Sequence, residues 1–139
     1  MGAWGTGPFD NDEALDLFLD LEDAEPEHVA VRLREVLRVA AEDESFLEAP
    51  AANEAIAAAA VVAYSYSHAD PTGNPRVARW LTERAPALGA ADGVLAARAI
   101  ERVCGEHSEW VELWSDAGLE AEARAVAMRL QQALAAPQP

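Results

Sequence analysis

A chain of 139 residues, 51% of them hydrophobic, can bury a real core but is short for two ordinary domains, so one domain over 1–139 is expected. Twenty-five acidic against 10 basic residues leave a formal net charge of -15, which argues against nucleic acid and against acidic membrane surfaces, since both are held through Lys and Arg. The single cysteine, Cys104, excludes an intrachain disulfide and a cysteine metal site within one chain, and reads as a small core residue.

The opening, MGAWGTGPFDND, packs Trp4, Phe9, Pro8 and three glycines into an arm (residues 1–9) that ends at a helix start. An arm without regular hydrogen bonds stays ordered by burial, so Trp4 is expected to staple it to the body, with the edge of a pocket as its alternative place. Asp10 as N-cap and Glu13 three residues on predict a first helix from about Asn11 to Asp23. Pro26 opens a second, whose stripe Val29, Leu33, Val36, Leu37 and Ala40 runs to near Asp43. In the connector from Glu44 to Pro50, Phe46 and Leu47 are expected to pack onto the core.

A third helix, Ala51 to about His68, is apolar almost all round from Ala55 to Ala63, as for a helix surrounded by others. The Pro- and Gly-containing stretch from Ala69 to Pro75 is a loop, and a fourth helix turns Val77, Trp80 and Leu81 inward and stops before Pro86. A fifth covers Ala90 to Cys104 with Ala96, Ala99, Ile100 and Val103 on one face, slightly weakened by Gly93 and ended by Gly105. Ser108 caps a short sixth helix with Trp110, Leu113, Trp114 and Ala117 on one face, and Gly118 closes it. The last helix carries Leu119, Ala123, Val126, Ala127, Leu130 and Leu134 as its stripe and ends before Pro137, leaving a tail at 136–139. No strand pattern interrupts the series, so the expected fold is all-α: about six to seven helices around an apolar central helix, with the arm docked. The alanine run is far below the ~18 apolar residues that span a bilayer, and with no secretion-type leader a cytoplasmic location is expected.

The run Met1-Gly-Ala-Trp-Gly-x-Gly-Pro-Phe-Asp-Asn-Asp12, followed by Ala14-Leu15-Asp16, resembles the bacterial domain-of-unknown-function family 4259. Trp80-Leu81, Ala99 to Val103, and Ser108-Glu109 with Glu112-Leu113-Trp114 are similar to that family as well. The resemblance implies a bacterial all-helical domain and brings no catalytic residues with it.

Asp12, Asp16 and Asp20 recur every four residues and form a carboxylate row on the first helix. One helix fans its carboxylates along a line, whereas a hard cation needs oxygens converging on a point, so the row reads as a solvated face. No metal is expected, with Asp12 and Asp16 as the alternative ligands, and no cofactor is expected. His28, His68 and His107 are scattered; His68 with Asp70, near Tyr64, Tyr66 and Ser67, is the one arrangement resembling an oriented base, and no nucleophile motif accompanies it. Gly5-Thr6-Gly7 lacks the strand and the lysine of a phosphate loop.

Charge without chemistry points to a non-enzymatic protein-interaction module, an immunity or accessory protein, in which an acidic surface meets a basic protein partner. Trp4, Phe9, Asp12, Asp16 and Asp20 are the candidate binding residues, on a monomer or homodimer. The alternative is a metal-assisted hydrolase using the carboxylates of the first helix.

Overall fold

Asn11 sets the start of the first helix. Its backbone is extended (φ -154°, ψ 162°) and its side-chain oxygen accepts the Ala14 amide at 2.8 Å, just ahead of α1 (Asp12–Asp23). The computed structural model describes residues 3–67, 73–84 and 86–135. Among them α1 is followed by α2 (Pro26–Ala41), α3 (Ala49–Ser67), α4 (Pro75–Arg84), α5 (Ala90–Val103), α6 (Glu109–Asp116) and α7 (Glu120–Ala135). The described residues contain no strand, only two isolated bridges, so the all-α expectation holds. His68, Asp70, residues 69–72 of the stretch expected to be a loop, Pro137 and residues 136–139 lie outside the described residues.

α3 is the centre of the bundle and contacts all six other helices. Ala55 through Ala63 are all buried; the six alanines of this run leave neighbouring helices free to approach closely, with bulk supplied by Ile56, Val61 and Val62 and from the facing helices. Leu33, Val36 and Leu37 of α2, Ile100 and Val103 of α5 and Leu130 of α7 fill that role, as their spacing predicts.

The arm is docked, but not by Trp4, which is 60% exposed; Phe9 is the anchor, at 1%. Phe9 meets Phe18 edge-on (6.4 Å, 83°), and Phe18 meets Trp80 in the same way (5.7 Å, 84°). Trp4 can stay outside because the arm does have regular hydrogen bonds. The Trp4 amide donates to the Asp10 carbonyl at 2.9 Å, Ala3 bridges Asn11, and the Asp10 carboxylate accepts the Gly7 amide at 3.0 Å. Asp10 therefore folds the arm, and Asn11 takes over the capping expected of it. A Cβ on Gly5 or Gly7 would lie 2.6 Å from that carboxylate oxygen, so both positions need glycine.

Two further expectations are corrected. Phe46 is 43% exposed while Leu47 is buried, because Leu47 is held in an extended pairing: its amide donates to the His107 carbonyl and its carbonyl accepts from Glu109, both at 2.9 Å. Neighbouring side chains in extended backbone point opposite ways, so burying Leu47 turns Phe46 outward. Ser108 sits at the N-cap of α6, yet its hydroxyl makes no cap bond and is buried without a hydrogen-bond partner among the described residues. The Glu109 side chain reaches across instead and accepts the Ala49 amide at 2.7 Å, capping α3. Arg102 completes the junction, donating to the carbonyls of Asp43, Ser45, Glu106 and His107. His107 holds a left-handed φ of 56° there.

Candidate functional site

The helix starts at Ala49 and Glu109, joined by the bonds just described, open onto a cleft of about 270 Å³. Trp110, Leu113 and Trp114 of α6 supply one wall, Ala49, Pro50 and Asn53 of α3 another, and Ala3 of the arm and Glu13 of α1 close the side. The sixth helix thus departs from expectation: Trp110 is buried, Trp114 is half-buried, and Leu113 and Ala117 are exposed. A helix of eight residues has little surface to bury, and part of its apolar face is left for the cleft.

The polar groups of the cleft are held in place. Glu13 accepts the Asn53 amide group at 2.8 Å, and Glu109 is fixed by the Ala49 amide. Each carboxylate retains a further oxygen for a ligand. Glu54, the residue after Asn53 on α3, does not line the cleft but lies near enough to Glu13 to feel its charge. Burial pushes its carboxyl up from the ordinary range, Arg32 at 3.6 Å opposes the rise, and the like charges of Glu13, Asp20 and Glu35 add to it.

Of the residues named from the sequence, Asp12, Asp16 and Asp20 are all exposed on α1 and none lines the cleft. Among the described residues no group of three or more His, Cys, Asp and Glu side chains could hold a metal ion. His28 and His107 are exposed at opposite parts of the chain. Trp4 follows Ala3 at the cleft edge and presents its ring to solvent, and Phe9 is structural. Cys104 is half-buried against the core; burial raises its thiol pKa, with the Arg124 charge acting the other way.

The cleft's polar side chains, Glu13, Asn53 and Glu109, were not singled out as binding residues from the sequence, because they meet only in the folded chain. A fourth polar feature was not singled out either. Asp92 is 5% exposed, pairs with Arg34 through two hydrogen bonds of 2.6 and 3.1 Å, and accepts the Gly89 amide at 2.8 Å. The Arg34 bond holds its carboxyl below the usual carboxylate range, burial opposes this, and the Gly89 amide lowers it further. The signal was present: Asp92 continues the apolar row of Ala96, Ala99 and Val103, which makes it a buried acid in need of a partner.

Among the described residues no helix is long and apolar enough to cross a membrane. Neither a curated protein nor a solved structure matches the chain. A protein-family model does, over residues 2–125, spanning the arm, the Trp80-Leu81 helix and the α6 wall of the cleft: the chain belongs to the family described as Domain of unknown function (DUF4259).

Proposed function

We propose that this protein is a non-enzymatic interaction module, and that its cleft seats a segment of a basic protein partner, with an apolar side chain against Trp110, Leu113 and Trp114 and an Arg or Lys beside Glu13 and Glu109. The observation that carries this reading is the pairing, in one cleft, of exposed apolar surface with two positioned carboxylates, in a chain of net charge -15. Two family-like segments, the arm and Ser108 to Trp114, meet there. Aromatic anchors next to fixed charges are the usual composition of a binding hot spot, and a net charge of one sign steers the opposite one toward it. An immunity or accessory role toward a basic protein is the setting such a binder fits. The carboxylate row of α1 carries no second reading, because its members do not converge.

The test titrates an Arg/Leu-rich model peptide, and its Glu/Leu counterpart, against intrinsic tryptophan fluorescence. The basic peptide should change the emission and the acidic one should not. Glu13→Gln with Glu109→Gln, which keeps the acceptor oxygens and removes both charges, should weaken binding by about tenfold. The on-rate should fall severalfold between low and physiological salt, where the Debye length is ~8 Å, while dissociation changes less. An equal response to both peptides, or an on-rate indifferent to salt, would sink the reading.

A further inference from the structure

A second recess lies on α2 and α5 and shares no residue with the cleft. It is an open depression of about 540 Å³, within the range of small-molecule sites. Its charge is the reverse of the protein's. Arg34 and Arg38, one turn apart on α2, and Arg98 on α5 all line it, three of the ten basic residues in the chain, against the acids Asp92 and Glu42. Arg38 lies in the last turn of α2, where a cation suits the helix end, and one turn from Arg34, so the two guanidinium groups share one face.

The three arginines are not equivalent. Arg34 is held by its two bonds to Asp92, which fix the plane of its guanidinium and leave Nη1 without a hydrogen-bond partner among the described residues. Arg38 and Arg98 are exposed and make no ion pair or side-chain hydrogen bond among the described residues, although Glu42 stands one turn from Arg38. Arg38 and Asp92 both line the recess, and the Arg38 charge contributes, behind Arg34 and Gly89, to lowering the Asp92 carboxyl. The amide of Gly89, at the start of α5, is already taken by Asp92, so the positive character of the recess comes from guanidinium groups and not from the helix end. Beside them Val94, 62% exposed, and Leu95 offer an apolar surface.

We propose that this recess binds a small phosphate monoester, its phosphoryl oxygens on Arg38, Arg98 and the free edge of Arg34, and its organic part on Val94 and Leu95. Planar guanidinium forks match phosphate oxygens in pairs, and one positioned fork among two free ones is an arrangement that a doubly charged group can close on. The overall charge of -15 selects for size: a polyanion such as nucleic acid meets repulsion beyond the recess, whereas a compact ligand stays within reach of the three arginines.

Calorimetry at low salt with phenyl phosphate, inorganic phosphate and citrate tests the proposal. Phenyl phosphate should bind in the millimolar range or tighter, and at least about threefold more tightly than inorganic phosphate through its contact with Val94 and Leu95. Citrate, which carries more negative charge but on carboxylates, should nevertheless bind more weakly than either. Arg38→Gln with Arg98→Gln should reduce phenyl phosphate affinity by about tenfold or more with an unchanged melting temperature, since neither side chain holds a structural bond. Glu42→Gln, which removes the competing negative charge, should tighten binding by a few-fold, a readout that does not depend on the double variant folding. No heat from the wild-type protein at ~10 mM phenyl phosphate, citrate binding as well as phosphate, or a Glu42→Gln variant that binds no better would each overturn the assignment.

Discussion

Gly93 stands inside α5, where glycine normally weakens a helix and alanine would be expected to add about 0.5–1 kcal/mol of stability. Here the expected sign is reversed. A Cβ built at position 93 would fall on the Tyr66 hydroxyl and ring edge, and Tyr66 is 6% exposed, with its hydroxyl near the carbonyls of Gly89 (3.1 Å) and Ala90 (3.3 Å). To make room, the tyrosine must leave those carbonyls, losing about 1 kcal/mol of hydrogen bonding, and the packing between α3 and α5 must give, costing about 1–3 kcal/mol. After the gain in helix propensity, Gly93→Ala should destabilise by about 2 kcal/mol, lowering Tm by roughly 6–10 °C for a chain of this size. Urea unfolding and thermal melts followed by circular dichroism measure this. In a Tyr66→Leu background the obstruction is gone and the same change should be neutral or stabilising, a coupling of about 2 kcal/mol across the double-mutant cycle. A Gly93→Ala protein as stable as the wild type, or the same cost in both backgrounds, would refute the close-approach argument.

Phe9→Ala should cost about 3–5 kcal/mol by emptying a fully buried site, whereas Trp4→Ala should cost less than about 1 kcal/mol, the ordinary effect of a surface change; chemical denaturation of the two variants side by side distinguishes anchor from ornament in the arm. Asp92→Asn keeps the shape but loses the charge pairing with Arg34. The lowered carboxyl pKa of the folded state means that this stabilisation is present above the unfolded value near 4 and is lost as pH falls through the folded value. With Arg34 partly exposed, the wild-type advantage should be only about 1–2 kcal/mol at pH 7 and should close below about pH 4, and a gap that stays constant with pH would show that the charge is irrelevant.

The helices were legible because the patterns that make them are local: the stripe of α2, the all-round apolar run of α3 and the proline and glycine stops each depend on a few neighbouring residues. Asn11 and Asp10 show where this ends. Both are good caps, and the choice between them is made by the arm, which needs the Asp10 carboxylate for the Gly7 amide. Trp4 was misplaced for the same reason, since the backbone bonds that hold the arm are invisible in composition. The cleft was harder still: Ala3, Glu13, Asn53 and Glu109 come from four parts of the chain, and only α3, by touching every other helix, brings them together. Asp92 is the exception, a polar residue on an apolar stripe whose meaning could have been read beforehand.

The paired backbones of Leu47 and Ser108, with the Glu109 side chain on Ala49, have one more implication. The connector after α2 and the turn before α6, some 60 residues apart in the chain, form a single clasp, so neither can open without the other. Local unfolding in this part of the protein is therefore a joint event, and the cleft walls either keep their separation or are lost together. An occupant that grips both walls acts on the clasp as a whole: the order it confers at one loop is conferred at the other, without any conformational change having to travel between them.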